Sequence, residues 1–229
     1  MMRQSDKTDS YVRSVTGNIL IAFPVLFIIV FLLHFAKENF FEFHLRYVPT
    51  PASAVIPSLI AVVHRGGSRL DPHLLAYLGL PLLLVAAYAL YLAGKGRRPG
   101  LALLALLVTC TGMVYLGGLF GMWTDFYGSI GNIDPKYTAG ATATFAALTT
   151  PAGPFLLTTT LAKLSIFGFA LQALALWGVA PIPKWSTILI VIGALAIVAF
   201  WDLDNLMMIG TILMLAGFIP VRSALLRHD

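Results

Sequence analysis

Residues 73–122 read HLLAYLGLPLLLVAAYALYLAGKGRRPGLALLALLVTCTGMVYLGGLFGM, two apolar runs joined by the short basic turn GKGRRPG at 94–100. A helix needs about 20 mostly apolar residues to cross a bilayer, and 73–93 and 99–122 each reach that length. The only formal charges in these fifty residues are Lys95, Arg97 and Arg98, all in the turn. The stretch therefore predicts a helical hairpin that crosses a membrane twice.

Four further stretches meet the same criterion, at 15–36, 155–178, 185–201 and 205–222. The composition agrees: 59% of the 229 residues are apolar and 11% are charged. The mean hydropathy is +0.86. About a quarter of the residues of a soluble domain are charged. The first stretch is too long for the apolar part of a signal peptide, and Lys37-Glu38-Asn39 follows it without a small-residue cleavage pattern, so it reads as a retained span. The expected fold is all-α, a polytopic membrane bundle of about six transmembrane helices. It divides into an N-terminal tail (1–14), one bundle (15–222) and a C-terminal tail (223–229).

Six spans put both termini on one side. That side would carry Arg3, Lys7, Arg13, Lys95, Arg97, Arg98, Lys184, Arg222 and Arg227, and the other Lys37, Arg46, Arg65, Arg69 and Lys136. The positive-inside rule then makes both termini cytoplasmic and points to a plasma membrane, in a bacterium on this reading. The net charge of +5 is accounted for by these short loops and calls for no nucleic-acid partner. Trp123, Trp177, Trp185 and Trp201 all fall at predicted span ends, where an indole buries its ring and keeps its N–H wet. The single cysteine, Cys110, excludes an intramolecular disulfide and paired-thiol redox chemistry.

The acidic residues and histidines concentrate on the other, outer face. HFAKENFFEFH at 34–44 places His34, Glu38 and Glu42 four residues apart, so in a helix they share one face. With a distant His73 or Asp125 they form a candidate site for a transition metal such as zinc, copper or iron; His34, Glu38 and His73 are the candidate ligands. The alternative is a helix that leaves the membrane here, its polar residues marking the water boundary. Asp71 before Pro72 reads as the N-cap of the second span. Asp202 and Asp204 sit in WDLDN between the last two spans, where one of them is expected to cap the sixth helix. Lys163 is the one charge inside a predicted span, and either pairs with an acidic group or a ligand or snorkels outward. Gln172, on the same span, suits a helix–helix hydrogen bond. The candidate outer-face polar site is thus His34, Glu38, Glu42, His73, Asp125, Lys163 and Asp202.

Two apolar outer segments, 51–63 and 139–150, are too short to span and suit interfacial or re-entrant helices. Gly112, Gly117, Gly118 and Gly121 give the third span a small-residue face for close helix approach. Pro24 and Pro81 predict local kinks. No phosphate-binding glycine loop and no nucleophile elbow is present.

Three functional classes fit. The first is a non-enzymatic membrane protein, an accessory subunit of a membrane assembly or a lipid- or ligand-binding bundle, with membrane lipids and a partner membrane protein or second copy as partners. The second is an outer-face, metal-dependent enzyme acting on a lipid or apolar substrate. The third is a small-solute or ion transporter using Lys163 and the broken 139–154 segment. The lack of a catalytic signature and of a soluble domain favours the first.

Overall fold

The computed structural model describes residues 2–35, 52–64, 72–150 and 152–227, and within the first two segments the side chains of 8–33 and 52–61. Every regular element among these residues is helical: α1 (Met2–Phe35), α2 (Ala52–His64), α3 (Pro72–Gly94), α4 (Pro99–Ile130), a 3-10 turn (Pro135–Tyr137), α5 (Thr138–Leu148), α6 (Gly153–Ala162), α7 (Leu164–Ala175), α8 (Lys184–Ala199) and α9 (Asp204–Leu226).

Among the described residues, five helical stretches are long and apolar enough to cross a membrane: Thr8–Leu33, Pro72–Gly94, Pro99–Ile130, Gly153–Ala175 and Asp204–Leu226. The sixth expected span, 185–201, is the 16-residue α8. At 1.5 Å per residue it is about 24 Å long, short of the roughly 30 Å hydrocarbon core. Two other boundaries also move. α1 begins at Met2, so the residues before the predicted span are helical. α4 runs eight residues beyond the predicted 122 to Ile130, giving a rod of 32 residues, about 48 Å. Pro24 and Pro81 both lie inside continuous helices.

The helices pack as a closed cycle, α1 on α3, α3 on α4, α4 on α7, α7 on α8, α8 on α9 and α9 back on α1. Two seams of this cycle depend on missing side chains. Between α4 and α7, a Cβ on Gly112 would lie 1.9 Å from the Ser165 backbone nitrogen, and one on Gly168 would lie 2.0 Å from Thr109 Oγ1. Between α8 and α9, a Cβ on Gly193 would lie 2.4 Å from the Gly210 carbonyl oxygen, and one on Gly217 2.7 Å from the Ser186 carbonyl oxygen. Ser186 adds a hydrogen bond, its hydroxyl donating to the Gly217 carbonyl. Lipid tails are as apolar as the helices, so association rests on such close packing and on polar bonds between helices.

The expected glycine face is only partly used this way. Gly112 is a backbone contact, whereas Cβ positions on Gly117 and Gly121 would meet only the side chains of Leu80 and Tyr77, at 3.4 and 3.8 Å. Gly118 faces open space. Gln172 bridges helices as expected: its amide nitrogen donates to the Ala87 carbonyl of α3 at 3.0 Å. At the basic end, Arg97 donates to the Gly178 carbonyl and Arg98 to the Leu174 carbonyl at 2.8 Å. Both bonds tie the 94–100 turn to the exit of α7, where helix carbonyls lose their partners.

α2 and α5 pack on each other beside the end of α4, around a separate apolar cluster of Ile56, Ile60, Ile130, Ala141 and Phe145. The segments expected as interfacial or re-entrant pieces thus form one helical pair on the overhang of α4.

Gly112→Ala is expected to destabilise the protein by about 1–3 kcal/mol, the usual cost of overpacking. Gly118→Ala, which meets nothing, is expected to leave stability unchanged. Thermal unfolding of both variants in the same detergent checks the pair.

Candidate functional site

The N-terminal end of α3, the turn between α8 and α9 and the C-terminal end of α1 lie at one end of the bundle, around a cavity of about 120 Å³. α1 supplies Phe23, Phe27, Val30 and Phe31 to its wall. Phe23, Phe27 and Phe31 are four residues apart, so they stack along one face of the helix. Their neighbouring rings lie 5.2 and 6.5 Å apart. Phe23 also stacks on Phe169 of α7 at 5.5 Å, which continues the aromatic layer across the bundle. Opposite stand Leu116 and Leu119 of α4, Ile166 of α7, Ile197 of α8 and Met214 of α9. Thr211 is the polar side chain in the deep part, and its hydroxyl donates to the Met207 carbonyl.

The mouth is different in kind. Pro72, His73, Trp123, Trp201, Asp202 and Asp204 surround it. His73 occupies the first turn of α3, and its ring stacks on Tyr127 at 5.2 Å and lies 6.3 Å from Trp123. Trp123 in turn stacks on Tyr127 at 5.6 Å and contacts Phe145 and Phe155 at 5.8 and 6.1 Å. The overhang of α4 is therefore an aromatic platform joined to α5 and α6. Asp202 is exposed and holds a left-handed backbone, φ 68°, which aspartate tolerates better than most residues. Neither aspartate is the helix cap expected from the sequence: the N-cap position is Leu203, without a side-chain bond, and Asp204 falls in the first turn of α9. There a carboxylate still meets the positive end of the helix dipole.

Lys163 stands at the break between α6 and α7. Its ammonium lies 5.7 Å from the centre of the Trp201 ring, a cation–π pair directly behind the cavity wall. Ala162, Ser165 and Ile166 around it are buried. The positive charge thus lies over the indole of Trp201.

The predicted site residues divide as follows. His73 and Asp202 share the mouth of the cavity, and Lys163 touches it through Trp201. Asp125 is exposed on α4 and is not part of the wall. Glu38, Glu42, Asp71 and the side chain of His34 lie outside the described residues, as does the metal set that His34 and Glu38 would build with His73. Among the described residues, no group of three or more His, Cys, Asp or Glu is placed to hold a metal ion. Sequence reasoning missed the apolar half of the site. The signal was present in the four-residue spacing of Phe23, Phe27 and Phe31.

The opposite end is cationic. The residues there whose side chains are described include Arg13, Lys95, Arg97, Arg98, Lys184, Arg222 and Arg227, with Asp9 as the carboxylate. Lys184 lies over the Trp177 ring and Lys95 over Tyr91, the same cation–π device as at the mouth.

Lys163→Met is expected to cost about 1 kcal/mol, the worth of a partly desolvated cation–π pair, and to shift the Trp201 emission. Thermal unfolding and tryptophan fluorescence check this. A loss above about 3 kcal/mol would instead identify a broken buried ion pair.

Compared with protein-family models, curated proteins and solved structures, the chain matches none.

Proposed function

We propose that this chain is a non-enzymatic membrane helix bundle that holds the apolar end of a lipid or other amphiphile in its central cavity. The observation that carries the reading is the two-part wall: phenylalanine, leucine and isoleucine in the depth, with His73, Asp202 and Asp204 at the mouth. An apolar cavity of roughly 150 Å³ stays dry and takes a benzene-sized group. At about 120 Å³ this one accommodates a ring or a chain terminus, not a whole lipid. The polar part of the ligand then remains at the mouth, among aromatic and acidic side chains. In this reading the cationic end faces the cytoplasm of a bacterial plasma membrane, and the ligand enters from the outer side.

A second reading, an accessory subunit of a membrane assembly, draws on the apolar face of α4. Leu103, Leu104, Leu107 and Val114 are all exposed there, Val114 by 74%. Such a face suits lipid tails as well as it suits another helix. The transporter reading needs a polar path at Lys163, whose charge lies over Trp201 and beside the buried Ala162, Ser165 and Ile166. An outer-face enzyme still depends on His34 and Glu38 joining His73.

Native mass spectrometry of protein extracted in mild detergent is expected to show a bound amphiphile of about one equivalent. Ala76→Leu, which places a larger side chain in the wall, should lose that adduct while unfolding at or above the wild-type temperature. An undiminished number of bound amphiphiles on a folded Ala76→Leu variant would remove the reading. Near-stoichiometric metal that His73→Ala abolishes would favour the enzyme, and a stoichiometric co-purifying protein the subunit.

A further inference from the structure

A groove of about 470 Å³ runs between α1 and α9 near the cationic end, lined by Asn18, Ile21, Ala22, Val25, Ile219 and Arg222. It is separate from the central cavity and shares no lining residue with it. Its polar and apolar parts are ordered along the helix axis. Asn18 and Arg222 stand together at one end, and Ile21, Ala22 and Val25 continue for the next seven residues of α1, about 10 Å toward the middle of the bundle. Ala22 and Asn18 leave the groove open on the α1 side, and Ile219 forms its other bank.

The Arg222 guanidinium is held in place without being neutralised. Its Nε and Nη2 both donate to Asn18 Oδ1, at 3.0 and 2.9 Å. A guanidinium has five N–H donors in a rigid fork. Two are spent on a neutral amide oxygen, and among the described residues no carboxylate pairs with the rest. Arg13 lies one helical turn before Gly17, whose Cβ position would meet the Arg222 stem at 3.7 Å, so a second cation stands near the same end. A fixed guanidinium with free donors suits a phosphate, since planar bidentate recognition of phosphate is what arginine does best.

We infer that the α1–α9 groove binds one anionic glycerophospholipid, its phosphate on Arg222 and an acyl chain along Ile21, Ala22, Val25 and Ile219. Asn18 acts as a positioning residue that keeps the guanidinium at the head of the groove. The charge of the neighbouring end selects an anionic headgroup over a zwitterionic one, because basic pockets between spans on the cationic side attract negative lipids. The site does not depend on what fills the central cavity.

Detergent-purified full-length protein titrated with dioleoylphosphatidylglycerol, dioleoylphosphatidylcholine or inorganic phosphate, read by native mass spectrometry and thermal unfolding, tests the site. The wild-type chain is expected to retain one phosphatidylglycerol and to unfold at a higher temperature with it, and to respond neither to phosphatidylcholine nor to phosphate alone. Arg222→Gln should weaken phosphatidylglycerol about fivefold, the effect of one cation near the surface. Ala22→Trp blocks the groove with Arg222 intact, so it should lose the lipid even if Arg222→Gln fails to fold. Equal binding of the two lipids, an equal response to phosphate alone, or undiminished phosphatidylglycerol on folded Ala22→Trp would overturn the proposal.

Discussion

Inside hydrocarbon, two helices gain nothing by hiding leucines from one another, so the bundle has to be held where backbones touch. In this chain that happens at two seams, Gly112 and Gly168 between α4 and α7, and Gly193, Gly210 and Gly217 between α8 and α9. These seams draw four helices of the cycle close together. α1 contributes the opposite material, a stripe of phenylalanines at 23, 27 and 31, and the space left beside that stripe is the central cavity. Tight glycine contacts on one side and bulky rings on the other thus produce the void as a consequence of packing.

The class of fold was readable from apolar length alone, because crossing a bilayer imposes a minimum run that few soluble segments meet. Boundaries were less readable. Apolar length marks where lipid could be, while a helix ends where its backbone hydrogen bonds stop. So α4 continues past Met122 to Ile130, through the polar residues Thr124 and Asp125, because tertiary contacts of Trp123, Phe126 and Tyr127 support it there. α8 shows the converse: its apolar run reads as a span, yet the helix has 16 residues and packs along α9. Sequence places His73 and Asp202 at the same level of the bundle, but only the closed cycle puts them around one opening. Asp125 shares their level and points elsewhere. The glycines could be seen but not ranked, because whether a glycine meets backbone or a side chain depends on the neighbour across the seam.

Charge is separated along the axis of the molecule. The arginines of the 94–100 turn act locally as well as globally: Arg97 and Arg98 supply donors to carbonyls at the exit of α7, contacts that join residues 76 and 81 positions apart. The turn is therefore a fastener between the first helical hairpin and the rest of the bundle. Lysine there would keep the charge but present no planar fork of donors.

α4 is one unbroken rod that takes part in three separate neighbourhoods. Near its middle Gly112 is pinned against Ser165, higher up Leu116, Leu119 and Trp123 form cavity wall, and at its tip Ile130 is embedded in the α2–α5 pair. From Gly112 to Ile130 the rod is about 27 Å long. Mechanically that is a lever with its fulcrum at the glycine contact, and the cavity wall lies partway along the arm. A tilt of about 5° at the fulcrum moves the tip by roughly 2 Å and the Trp123 level by a proportionate fraction. On that geometry a displacement of the α2–α5 pair and one of the cavity wall are two readings of a single tilt of α4.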